Sequence, residues 1–307
     1  MFIKKSTIIA LCMLPFLAVG INSCSQNPRE EAISILEDRG IKRSEYNTKL
    51  EFACRDGNIE LVYLLLMAGA NVNGNREFYQ PLYWAVSEGH TEIVKLLLTV
   101  RGIDVNFDSP LYTAVEKGYT EIVKLLLATP GIDVNYCRIE DRVSPLYAAV
   151  ENGHTEIVKL LLKAPGIDVN KSGRFGSTPL SKAVAAGHIE IVKLLLSMPG
   201  VDVNRGAYFE HSAYSPLFMA ASSGDSKMVK LLLKAPGIDV NWGKDKNAAS
   251  PLHAAVNAGH AKIVKLLLAA PGIDVNKPNE HGDTPLSEAT RRGHTKIVKM
   301  LKAAGAK

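Results

Sequence analysis

The chain has 307 residues, 47% of them hydrophobic, enough to bury a continuous core. Its 36 basic residues stand against 31 acidic ones, or 34 against 31 once Lys4 and Lys5 of the leading segment are set aside, an excess too slight to make a case for nucleic acid from charge. Four cysteines are present; Cys54 lies in a helical pattern and Cys137 in a distant loop, so no disulfide is expected between them.

Residues 1–23 read as a secretory signal peptide, with Lys4 and Lys5 as its positive start and Ile8 to Ile21 as its apolar stretch, too short for a comfortable membrane span. At its end Ile21-Asn22-Ser23-Cys24 resembles the lipobox of bacterial lipoproteins, with Asn22 an atypical residue two before the cysteine. The resemblance implies that Cys24 is lipidated and that the protein is an envelope lipoprotein. Ser25 then resembles the outer-membrane sorting class, on either the periplasmic or the surface face. Ordinary cleavage, giving a secreted or periplasmic soluble protein with Cys24 incidental, and an uncleaved anchor stay open. Residues 24–28 would form a tether in which Ser25 to Pro28 reach about 14 Å. Residues 29–46 are expected to form an amphipathic capping helix, Arg29 to Arg39, and a connector.

From 47 to 307 one unit recurs, seen most clearly from Ser144 to Asn170. Pro-Leu pairs at Pro81, Pro110, Pro145, Pro179, Pro216, Pro251 and Pro285, with a degenerate copy at Lys49-Leu50, mark eight copies. Before six of the prolines a Ser or Thr offers a capping oxygen, and the proline sits where a helix needs no backbone N–H; Gln80 is the departure. A short helix rich in Ala and Val follows and ends at a glycine such as Gly153, which releases the chain into a turn. A second helix, Glu-Ile-Val-Lys-Leu-Leu-Leu, sets Ile, Val and Leu on one stripe and Lys outside it; Pro-Gly closes it and Ile-Asp-Val-Asn opens an extended finger.

Together Thr-Pro-Leu-x-x-Ala, Gly-His-x-Glu-Ile-Val-Lys-Leu-Leu-Leu and Asp-Val-Asn resemble the ankyrin repeat. The fold this implies is an all-α repeat solenoid, an ankyrin array of eight helix-turn-helix repeats linked by β-hairpin-like fingers. The added residue in Ala-Pro-Gly-Ile-Asp departs from the usual form, seen here in Ala-Gly-Ala-Asn of repeat 1, and predicts an altered turn without a change of fold. In the last copy Lys302 replaces an apolar residue, which reads as the polar outer face of a terminal repeat.

No constellation carries catalysis, and no cofactor, metal or small-molecule substrate is expected. His90, His154, His188, His260 and His294 share the slot after the inter-helix glycine, and neighbours about 8–10 Å apart are too distant to share a metal. They read as rings that bond turn backbone, and His253 reads the same way. Asp225 and Ser226 fill the His-Thr slots of repeat 6, where capping explains them. Each Asp-Val-Asn finger has too few acidic oxygens for calcium.

What varies between copies is where recognition is sought. The resemblance implies a non-catalytic protein–protein scaffold that uses finger tips and the exposed end of the first helix. The tips carry Phe78, Tyr79, Phe107, Tyr136, Arg138, Arg174, Phe175, Tyr208, Phe209, Tyr214 and Trp242, side-chain types that dominate interfaces, and the first helix of repeat 8 ends in Arg291-Arg292. Repeats 2 to 5 place Glu92, Glu121, Glu156 and Glu190 three residues before a Lys, whereas repeats 6 to 8 have Lys227, Lys262 and Lys296 there. Residues 25–205 carry 20 basic and 23 acidic side chains, residues 206–307 carry 14 and 8. The expected partner is a protein of unstated identity, with the membrane reached through the lipid anchor. The alternatives are adhesion to an anionic polymer or membrane through the basic repeats, and a secreted effector-like ankyrin protein.

Overall fold

In the computed structural model, which describes residues 27–75, 80–137, 142–173, 176–209, 212–243 and 249–307, with backbone alone at 207–209 and 212–213, each Pro-Leu pair opens a helix. The chain is the all-helical repeat solenoid that the sequence predicts. It divides into two units, residues 1–138 and 139–307.

The first unit begins with α1 (Pro28–Asp38), where Pro28 takes the first helical position and Glu30 and Glu31 face the positive end of the helix dipole. Its buried stripe, Ala32, Ile33 and Leu36, packs on α3 (Ile59–Ala68), the second helix of repeat 1, so α1 serves as half a repeat. α2 (Tyr46–Arg55) pairs with α3; α4 (Pro81–Ser87) pairs with α5 (Thr91–Leu98); α6 (Pro110–Glu116) pairs with α7 (Thr120–Leu127).

The second unit holds five helix pairs: α8 (Pro145–Glu151) with α9 (Thr155–Leu162), α10 (Pro179–Ala185) with α11 (Ile189–Leu196), α12 (Pro216–Ser223) with α13 (Ser226–Leu232), α14 (Pro251–Asn257) with α15 (Ala261–Leu268), and α16 (Pro285–Arg291) with α17 (Thr295–Ala303). Between α11 and α12 the longest finger forms a hairpin of β1 (Ala207–Phe209) and β2 (Ser212–Tyr214), with Ala207 opposite Tyr214 and Tyr208 opposite Ala213.

Within each unit first helices pack on first helices and second on second. Ile157, Val158 and Leu161 of α9 are at most 1% exposed, as the 3.6-residue stripe requires, and Leu146, Ala149 and Val150 of α8 close the layer beneath. A fully buried Leu or Ile contributes about 1.5–3 kcal/mol. Helices of seven or eight residues are too short to persist alone, so this neighbour burial is what stabilises them.

The capping expectation holds in five places. The side chains of Ser144, Thr178, Ser215, Ser250 and Thr284 accept the N–H three residues on. Ser109 is a correction: it stands left-handed at φ 55 and makes no capping bond. The finger before it is cut to Phe107-Asp108, and Asp108 is left-handed as well at φ 61, so Ser109 lacks the extended backbone an N-cap needs. Asp108 Oδ2 instead accepts the N–H of Gln80 at 2.9 Å. Burial raises the Asp108 carboxyl above its ordinary value, partly opposed by that bond.

Within each unit the repeated asparagine links one finger to the next. Asn204 Nδ2 donates to the Gly237 carbonyl at 2.9 Å and its Oδ1 accepts the Asp239 N–H at 2.8 Å. Asn73, Asn106, Asn170 and Asn241 do the same toward Gly102, Gly131, Gly200 and Gly272. Asp239 Oδ1 in turn accepts the Asn241 N–H at 2.9 Å, setting the turn that presents the next amide. Asp-Val-Asn is thus a backbone clamp, and the glycine two residues before the next aspartate supplies the carbonyl it grips.

Candidate functional site

In the histidine slot the expected bond to turn backbone is made by His90 and His260, whereas His294 Nε2 is buried with no hydrogen-bond partner. His90 Nε2 lies 3.0 Å from the Arg55 carbonyl and His260 Nε2 3.1 Å from that of Ser222. The rings rest on the turn glycine of the preceding repeat: a Cβ on Gly57 would fall 2.7 Å from His90, and one on Gly224 2.9 Å from His260. That glycine is therefore required for lack of a side chain as well as for its positive φ. Among the described residues no group of three or more His, Cys, Asp or Glu is placed to hold a metal ion.

His253 is 4% exposed and held at both nitrogens. Nδ1 accepts the Ser250 N–H at 3.2 Å and lies 3.0 Å from Ser250 Oγ, while Nε2 lies 3.1 Å from the Asp283 carbonyl. An N–H can only donate, so Nδ1 is unprotonated and Nε2 donates. Ser, His and Asp are gathered here without a nucleophile: Ser250 is wholly buried, and Asp283 offers its backbone rather than its carboxylate. Desolvation is the main reason the imidazole pKa falls below its ordinary value. Asp225 caps α13, its Oδ1 accepting from Lys227 and Met228 at 2.9 Å. Cys54 is fully buried, which raises its thiol pKa far above the usual range and makes it inert.

In the second unit Phe218 of α12, His253 and Asn257 of α14, and Glu288, Arg291 and Arg292 at the end of α16 line a groove of roughly 280 Å³. Glu288 is 5% exposed and accepts from both Arg291 and Arg292, chiefly the latter, which holds its carboxyl below the ordinary value. The two arginines remain exposed, so the groove ends in an ordered pair of guanidinium groups. Tyr214, half-buried, stacks on Phe218 with ring centres 4.6 Å apart.

The other sequence-derived residues are spread more widely. Tyr208 and Phe209 are carried by β1. Trp242 is half-buried in its finger, its backbone N–H donating to the Asp239 carbonyl at 3.3 Å. In the first unit Phe107 is 36% exposed and Tyr136 half-buried. Cys24, Phe78, Tyr79, Arg138, Arg174 and Phe175 lie outside the described residues.

A second cluster was not singled out from the sequence. In the first unit the Arg55 guanidinium sits 4.8 Å from the ring centre of Phe52 and 5.9 Å from that of Trp84, and Tyr83 meets Trp84 edge-on at 5.6 Å. Phe52 is 45% exposed and, with Lys49, Arg55 and Asp56, borders a hollow of about 370 Å³. Phe52, Trp84, Phe218 and Glu288 all come from the two unspecified positions of Pro-Leu-x-x-Ala, a signal that comparing those slots across the copies exposes.

The family model for ankyrin repeats (3 copies) matches in five overlapping stretches, residues 23–109, 50–138, 111–207, 171–244 and 217–307. The chain is similar to the crystal structure of an ankyrin repeat domain from Acinetobacter baumannii AYE, at 28% identity and a TM-score of 0.56 over 64% of this chain and 98% of that one. It is also similar to the ankyrin repeat protein EF0377, at 28% identity and a TM-score of 0.57 over 65% and 98%. The recurring caps, turn glycines, paired helices and linked fingers, matched along nearly the whole chain by one family model, make this chain a member of the ankyrin-repeat family.

Proposed function

We propose that the protein is a non-catalytic scaffold that captures a protein partner through the groove and fingers of its second unit, and that it is held at the bacterial cell envelope through Cys24. The observation that carries the capture is the contrast between repeated and unrepeated residues. Pro, Gly, His, Asn and the Ile-Val-Leu stripe are used up in caps, turns, clamps and core. Phe218, Arg291 and Arg292, exposed or half-exposed beside the groove, differ from their counterparts in other repeats. Aromatic and Arg side chains around a shallow groove suit a protein surface better than a small molecule, which needs deeper enclosure. The lipobox-like Ile21 to Cys24 supports the envelope address, with an outer-membrane lipoprotein as the specific form.

Crosslinking and affinity capture from intact envelopes test both parts. The native chain is expected to retain a protein that is lost on Tyr208→Ala with Phe209→Ala, while circular dichroism stays unchanged. Capture that survives this double substitution counts against the hairpin finger. Cys24→Ala is expected to move the protein out of the membrane fraction; if it stays there, the lipid anchor is wrong.

A further inference from the structure

We propose that the outer face of α13, α15 and α17 is a docking surface for a bilayer carrying anionic lipid headgroups. This goes beyond partner capture by the groove and does not depend on Cys24. In repeats 2 to 5 each second helix closes an ion pair on itself: Lys95–Glu92 at 2.6 Å, Lys124–Glu121 at 3.3 Å, Lys159–Glu156 at 2.6 Å and Lys193–Glu190 at 2.7 Å. In α13, α15 and α17 the glutamate slot is filled by Lys227, Lys262 and Lys296, while Lys230, Lys265 and Lys299 keep the lysine slot. None of the three helices contains an acidic residue. Lys234 and Lys302 extend the row, and all eight lysines are exposed. Asp225, next to α13 in the chain, is committed to its N-terminal N–H groups.

The three helices pack side by side in one unit, so equivalent slots line up. Lysines three apart on a helix lie about 5–6 Å from each other at Cβ, and neighbouring helices about 8–10 Å apart. The result is a grid of six uncompensated charges where the earlier repeats have neutral pairs. Like charges at this spacing oppose helix formation, a cost that an anionic surface would relieve.

The chemistry of the face selects the occupant. It holds no Arg and no aromatic side chain, the groups that read phosphates bidentately or stack on bases. Lysine is a compact, strongly hydrated point charge on a flexible stem. Arrayed on the outside of helices rather than in a cleft, such charges match the dispersed, mobile charge of a headgroup layer, to which each lysine adds attraction that fades within a Debye length.

Lysine acetylation footprinting of the full chain carrying Cys24→Ala tests this, using vesicles of phosphatidylcholine alone or mixed with phosphatidylglycerol. The mixed vesicles are expected to slow acetylation of Lys227, Lys230, Lys262, Lys265, Lys296 and Lys299 several-fold relative to Lys159 and Lys193, and high salt to abolish the difference. The triple variant Lys227→Glu, Lys262→Glu, Lys296→Glu restores the ion-pair pattern of repeats 2 to 5, so it keeps the fold, verified by circular dichroism. It is expected to lose the protection. Equal rates with both vesicles, equal protection of Lys159 and Lys193, protection unchanged in the triple variant, or protection by soluble polyphosphate but not by vesicles would each overturn the proposal.

Discussion

At the scale of single residues, the informative positions are those whose side chains are buried and polar. His253 is kept neutral by burial and by the Ser250 N–H at Nδ1, with Lys277 adding to the effect and Asp283 and Glu288 opposing it. Its folded pKa therefore lies below the ordinary value of 6.5. A lowered imidazole pKa means that the unfolded chain takes up the proton first, so this contribution to stability is whole above the ordinary value and shrinks as pH falls from there toward the folded one. Urea unfolding of the native chain and of His253→Gln, followed from neutral to mildly acidic pH, is expected to show a shallower decline for the variant. Parallel declines would mean that other groups set the acid limit. Glu288 illustrates the complementary case: its two arginines at the groove's end are tied structurally, so either one truncated to test binding also leaves a buried carboxylate poorly paired.

At the scale of elements, the finger lengths decide geometry. The shortened finger before α6 turns Asp108 and Ser109 left-handed and removes a cap, whereas the longest one has room to pair with itself as β1 and β2. The hairpin is entered through Gly206, where a Cβ would fall 1.5 Å from the Tyr214 carbonyl oxygen. Backbone cannot yield as a flexible side chain can, so Gly206→Ala is expected to open the strand pair at a local cost of about 1–3 kcal/mol. Amide hydrogen exchange across residues 207–214 measures it; unchanged protection there would refute the steric account. Because Tyr214 stacks on Phe218, the same change should also loosen one wall of the groove.

At the scale of the molecule, stability is a sum of repeats and their nearest-neighbour contacts. The asparagine clamps make those contacts specific. Asn204→Ala removes the bonds to the Gly237 carbonyl and the Asp239 N–H, both near solvent that can replace them in part. A loss of about 1–2 kcal/mol is expected, with hydrogen exchange rising first in repeats 5 and 6 rather than evenly along the chain. An even rise would show that the second unit unfolds as one block. Salt separates the two surfaces proposed above: lysine contacts on α13, α15 and α17 weaken with ionic strength, and an aromatic-anchored groove interaction persists.

Sequence alone determined the helix pairs, the buried stripe and the turn glycines, because all three depend on spacings of a few residues that repeat without change. It also exposed the Glu-to-Lys exchange. The missing Ser109 cap was not legible, since it depends on how a finger cut to two residues closes. Nor was the contact of Arg55 on α2 with Trp84 on α4, which come from different repeats and meet only when the two helices pack. The same holds for Asn204 and Gly237, 33 residues apart. Tertiary structure decided which side chains are spent on the fold and which are left to bind, because a local pattern fixes the face a residue occupies and only its neighbours across the repeat determine whether that face is covered.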